Sequence, residues 1–278
     1  MLVNLIDVLK KAQEGHYAVG LFNATDSDML EATISAAEEL NSPIIIGTAE
    51  VLLPYGELRL IAPGMIAAAK RAKVPVVVHY DHGLTFERCM EALKLGFTSS
   101  MFDGSANDEA SNIAETREVV RIAHAMGASV EGEIGHVGDA AAGDNKASDR
   151  YTTVKEATDF LEATGVDALA IAIGTAHGAY KEKPCLDFER LAEIRKAVDT
   201  PLVLHGGSGL ADDDFSNAIR NGIAKVNIFT DLCIAGDAAM KESAEKGIGY
   251  LEARNAKVAA IKEAVKNKIR LFGSVDKG

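Results

Sequence analysis

Short apolar runs rich in β-branched residues recur along the whole chain: YAVGLFNA (17–24), SPIIIGTA (42–49), VPVVVHYDHG (74–83), SSMFDGS (99–105), ASVEGEIG (128–135), DALAIAIGT (167–175), TPLVLHGGSG (200–209) and AKVNIFTD (224–231). Helical patterns lie between them, among them MLEATISAAEEL, FERCMEALKLG, NIAETREVVRIAHAMG, VKEATDFLEATG and FERLAEIRKAV. Continuous apolar strands alternating with helices predict a parallel sheet covered by helices. Eight strand candidates with a helical C-terminus predict an α/β fold, a single-domain (β/α)₈ TIM barrel over residues 1–278 with a C-terminal helical extension. An open doubly wound sheet is the alternative, but no GxGxxG follows the first run. The segment MLVNLIDVLKKAQEG reads as an amphipathic helix, broken early by Asp7, Lys10 and Lys11, rather than as a secretory leader.

Residues 136–153, HVGDAAAGDNKASDRYTT, break the rhythm and are expected to form a long polar loop, the kind that serves as a lid or binding segment. With 278 residues the chain is long enough for a large core, and its net charge of −12 argues against nucleic acid or an anionic membrane as partner. Cys89, Cys185 and Cys233 form no CxxC pattern and read as reduced thiols of a cytoplasmic protein. No stretch is apolar for long enough to predict a membrane span.

A barrel's chemistry lies at the C-terminal ends of its strands. Those ends carry Asp81 and His82, Asp103, Glu133, His177, His205, and Asn227 with Thr230. His82, His177 and His205 therefore share one face, and three histidines with an open position suit a catalytic zinc ion. A structural role is expected for His16, His79, His124 and His136 instead. Asp81 could cap a helix, and Asp103 in FDGS could make an Asx-turn. Glu131 and Glu133 share strand parity, so both are expected to face inward. The glycine-rich stretches AHGAYK, HGGSG and NIFT suit an anion, because bare backbone N–H groups can approach it closely.

Taken together, HYDHG, MFDGS, SVEGEIG, AIGTAHGAYK, PLVLHGGSG and KVNIFTD resemble the class II, metal-dependent ketose-bisphosphate aldolases, a family of fructose- and tagatose-bisphosphate aldolases. The resemblance covers essentially the whole chain. It implies zinc-dependent reversible cleavage of a ketose (bis)phosphate to dihydroxyacetone phosphate and an aldehyde. Zn²⁺ would sit on His82, His177 and His205; other divalent metals, and a monovalent cation, are also admitted. By the same resemblance Asp81 would move the proton at the aldehyde oxygen. Asp103 and Glu133 would hold the metal in an alternative position. Gly178, Gly206, Gly207 and Ser208, with Asn227, Ile228, Phe229 and Thr230, would bind the phosphate, and Lys181 would lie near it. The implied partner is a small sugar phosphate, and the implied assembly a homodimer or homotetramer.

Two positions depart from the family pattern. Ala140 and Ala141 stand near the place of a proton-transferring loop glutamate, for which Asp139 or Asp144 could substitute. Phe229 stands where relatives often carry a smaller or acidic residue, which points away from glyceraldehyde 3-phosphate as the aldehyde. A Schiff-base aldolase would need an interior lysine in the sixth strand, and DALAIAIGT has none; Lys225 is expected at the wrong end of strand 8. The alternative function is a non-catalytic sugar-phosphate-binding or stabilising subunit of an aldolase complex.

Overall fold

The computed structural model describes residues 1–135, 137–139, 151–178, 180 and 184–278. Eight parallel strands close into a barrel: β1 (Val19–Asn23), β2 (Ile44–Ala49), β3 (Val76–Gly83), β4 (Ser99–Phe102), β5 (Ser129–Ile134), β6 (Ala168–Ile171), β7 (Leu202–Leu204) and β8 (Ile223–Ile228). Each strand pairs with its neighbours in sequence, and closure comes from Val19–Phe22 of β1 lying against Lys225–Ile228 of β8. The expected fold is the one observed. The helices are α1 (Leu5–Glu14), α2 (Ser27–Glu39), α3 (Leu58–Arg71), α4 (Phe86–Leu95), α5 (Glu109–Ala125), α6 (Val154–Thr164), α7 (Phe188–Ala197), α8 (Asp212–Arg220), α9 (Thr230–Glu245) and α10 (Tyr250–Leu271).

The barrel has two chemically distinct halves. Leu5, Val8, Leu9 and Ala12 of α1, spaced to share one helix face, pack on Leu21, Ile45, Val77, Ala168, Ala170 and Val203. The charged residues that seemed to interrupt this helix lie on its other side, and Asn4 with Asp7 forms a capping box at its start. Thus α1 plugs the barrel below. Above that layer the buried side chains turn polar: His79, Asp81, Glu131, Glu133, His205, Lys225 and Asn227.

Three local features add to or correct the sequence reading. The fourth strand ends at Phe102, so Asp103 already belongs to the loop. Pro63 lies inside α3, a segment without an obvious helical pattern, where it forfeits one backbone hydrogen bond. Within the expected loop 136–153, Gly138–Asp139 pairs in parallel with Ala176–His177, and Thr153 caps α6. His136, Ala140, Ala141 and Asp144 lie outside the described residues.

The C-terminal helices complete the wall. Val258, Ile261, Val265 and Ile269 of α10 are buried, and Phe272 at its end packs against Phe215 with ring centroids 5.4 Å apart. We expect Phe272→Ala to cost about 3–5 kcal/mol through lost burial and a residual cavity. A shift in the urea midpoint equivalent to less than about 1 kcal/mol would contradict this role for the helix end.

Candidate active site

Adjacent strand residues point to opposite faces, so Asp81 and His82 cannot both face inward from a regular strand. The structure resolves this locally. The β3–β4 register shifts between Tyr80 and Gly83, and His82 adopts a left-handed φ of 42°. The irregularity turns the His82 ring over the barrel mouth while Asp81 keeps its inward direction. A side chain on Gly83 would meet Cys89 Sγ at 2.5 Å and the Met101 carbonyl at 2.6 Å, so the residue following this bend has to be glycine.

His82, His177 and His205 converge, with ring centroids 4.4 to 5.9 Å apart. His82 Nδ1 lies 2.8 Å from Asp103 Oδ2, and His205 Nε2 lies 2.8 Å from Glu131 Oε1. Each carboxylate accepts from the ring nitrogen it touches, which leaves the other nitrogen of each ring as a bare lone pair. Those two nitrogens, His82 Nε2 and His205 Nδ1, face one another at 2.8 Å. Two lone pairs repel at that distance unless a positive charge lies beside them. With only a proton to serve, His82 is pushed up to about 10: burial opposes the charge, but Asp81, Asp103 and Glu133 outweigh it. Burial and then the charge of His82 hold His177 down to about 3, and the same two causes lower His205. One cation shared by neutral rings satisfies all three, and carboxylate-backed histidines are the usual support of such a centre.

A second donor set overlaps the first. His82, Asp103 and Glu133 place ligand atoms within 4.8 Å of one another. Glu133 Oε2 is buried with no hydrogen-bond partner, and burial followed by the nearby Asp103 raises its pKa well above the ordinary value. A cation would relieve both. The residues present therefore fit a divalent metal. Asp103 also makes the Asx-turn expected of it, accepting from Ser105 N at 3.1 Å with its other oxygen.

Asp81 is held from both sides. Asn227 Nδ2 donates to Oδ1 at 2.9 Å and Asn23 Nδ2 donates to Oδ2 at 2.7 Å. Burial disfavours its charge, yet the charge at His82 and then the Lys225 ammonium more than compensate and keep it ionised, far below the usual carboxylate range. It caps no helix. Asn23 has no motif of its own in the apolar run YAVGLFNA, so the sequence offered no sign of it.

Lys225 requires a correction. Its ammonium group lies inside the barrel, 2.8 Å from Glu131 Oε2 and 2.7 Å from Asn227 Oδ1. It is an ion-paired cation that ties Glu131 beneath His205. His79 fills the same layer, bonded to Ser99 Oγ at 2.8 Å and held neutral, down to about 4, by burial and then Lys225. With Asp81 and Glu131 it forms a third group of ligand atoms within 4.8 Å of one another, and His124 lies outside the barrel site, 2.8 Å from Asp167.

These groups open into a cavity of about 550 Å³. Asp81, His82, Asp103, Glu133 and His177 line it, as do Gly178, Gly206, Gly207, Ser208, Asn227, Ile228, Phe229 and Thr230. His205 lies beneath, fully buried. Gly206 has a φ of 66°, and a side chain there would meet the Ala176 carbonyl at 2.4 Å, so the bare backbone is required for the chain to pass. Ser208 Oγ accepts from the N–H groups of Phe229 and Asp231 where α9 begins, and such a helix start favours an anion. Lys181 lies outside the described residues.

Comparison with known proteins gives the family. A profile of the class-II fructose-bisphosphate aldolases matches residues 3–277. A fructose-bisphosphate aldolase of Thermus caldophilus is 40% identical, with 99% of each chain covered. A 6-phospho-5-dehydro-2-deoxy-D-gluconate aldolase of Bacillus licheniformis is 39% identical, over 99% of this chain and 96% of that one. The crystal structure of the YdjI aldolase from Escherichia coli K12 superposes with a TM-score of 0.90 at 39% identity, covering 100% of this chain and 99% of that one. No helix among the described residues is long and apolar enough to cross a membrane. The chain belongs to the class-II fructose-bisphosphate aldolase family and is a metal-dependent lyase of sugar phosphates.

Proposed function

We propose that the protein cleaves a ketose phosphate, with Zn²⁺ on His82, His177 and His205, to dihydroxyacetone phosphate and an aldehyde. The observation that carries this reading is the placement of an ionised Asp81 beside three converging histidines whose ligand atoms all lie within 4.8 Å of one another. Zinc, when bound, supplies Lewis-acid stabilisation of the negative charge that develops on the ketose oxygens. Gly178, Gly206, Gly207 and Ser208, with the end of β8 and the start of α9 from Asn227 to Thr230, hold the phosphate and fix the carbon chain across the mouth. Asp81, kept charged by its surroundings and oriented by Asn23 and Asn227, takes the proton from the hydroxyl that becomes the aldehyde. In the reverse direction it returns that proton. Asp103 and Glu133 offer the metal an alternative seat when substrate is absent.

The test is cleavage of fructose 1,6-bisphosphate, tagatose 1,6-bisphosphate and their 1-phosphates by the zinc-loaded chain, followed through dihydroxyacetone phosphate. Release of that product, with no covalent adduct on borohydride treatment, is expected. A chain that binds the phosphates without turnover would instead be the non-catalytic subunit.

Glu131 supports His205 from below, so Glu131→Gln is expected to weaken zinc binding by about 10–100-fold, read by competition with a chromogenic chelator. Affinity unchanged within about twofold would mean that the carboxylate does not set the His205 ring.

A further inference from the structure

We infer that the end of the cavity that receives the aldehyde is built for one without a phosphate, so that the preferred substrate is a ketose 1-phosphate and not a bisphosphate. This rests on the proposed aldolase reaction and narrows it. The barrel order places β2 and β3 across the ring from β6 and β7. The anion-binding glycines follow β6 and β7, with the start of α9 after β8. Apart from the uncharged Ser105, the opposite rim is apolar: Val51 and Leu52 after β2, Leu84 after β3 and Ala106 beyond β4.

Among the described residues, a second phosphate at that rim would find no counter-charge. Among the described residues lining the cavity there is no lysine or arginine. The cations on the flanking helices, Arg59 of α3 and Arg88 of α4, are each bound to Glu91 at 2.6 Å. The backbone N–H groups just before α4, at Leu84 and Thr85, would suit an anion, but Glu50 already fills them at 2.8 and 3.3 Å. A dianion there would meet aliphatic side chains with the fixed Glu50 carboxylate behind them and no cation among the described lining residues to offset the hydration it loses. A short uncharged aldehyde bearing alkyl or hydroxyl groups would lose little and would rest on Val51, Leu52 and Leu84.

The experiment uses the zinc-loaded full chain in two stages. Exchange of the C3 proton of dihydroxyacetone phosphate in deuterated water tests the aldolase reading by itself, without any acceptor. Condensation rates are then compared for glyceraldehyde and glyceraldehyde 3-phosphate. We expect exchange, and a kcat/KM at least about tenfold higher for the unphosphorylated aldehyde. Val51→Lys and Leu84→Lys, at positions 62% and 49% exposed, are each expected to shift that ratio at least about fivefold toward the phosphorylated acceptor. Exchange with equal or better use of glyceraldehyde 3-phosphate would overturn the inference alone. A ratio unmoved by both lysines would overturn its electrostatic basis. Absence of exchange would overturn the aldolase reading and this inference with it.

Discussion

Asp81→Asn is expected to lower kcat by about 10²–10⁴-fold while leaving bound zinc and the fold unchanged. The amide preserves the shape of the side chain between Asn23 and Asn227 but cannot carry the negative charge that His82 and Lys225 hold there. A loss of about 10³-fold corresponds to about 4 kcal/mol of transition-state stabilisation, a large share for one proton transfer. The loss should appear in kcat more than in KM, because the group acts on the proton and not on the phosphate. Metal content by atomic absorption separates this from a ligand effect. An Asn variant with more than about a third of normal kcat would remove Asp81 from the chemistry.

His205→Ala is expected to have the second large effect, through a different route. His205 joins Glu131 and Lys225 below to His82 above, so truncation removes a donor and strands the buried Glu131–Lys225 pair. Zinc should be lost on gel filtration, and cleavage should fall by about 10³-fold or more, as expected when the main stabiliser of developing negative charge is gone. The stability cost should be modest, because Lys225 still neutralises Glu131. Retention of one zinc per chain at normal affinity would show that the ion sits elsewhere.

The strand-end histidines were legible because each closes an apolar run. Glu131 and Glu133 were legible as inward-facing carboxylates by strand parity alone. What was not legible depends on contacts between distant strands. Asn23 closes an apolar run without any spacing signal, and its partner Asp81 lies 58 residues away. Lys225 looked like a strand-opening residue at the far end of the barrel, yet its long side chain reaches inward to Glu131. The bend that lets neighbouring Asp81 and His82 share one cavity is a register shift between β3 and β4, which no periodicity reveals.

Titrating zinc into chelator-stripped protein, with activity and bound metal measured on the same samples, tests the central claim most directly. Cleavage of a ketose phosphate should be absent without metal and rise linearly to a plateau at one zinc per chain, with His82→Ala neither binding nor responding. Activity that persists without metal, or zinc that binds stoichiometrically to wild type and His82→Ala alike, would contradict the three-histidine centre.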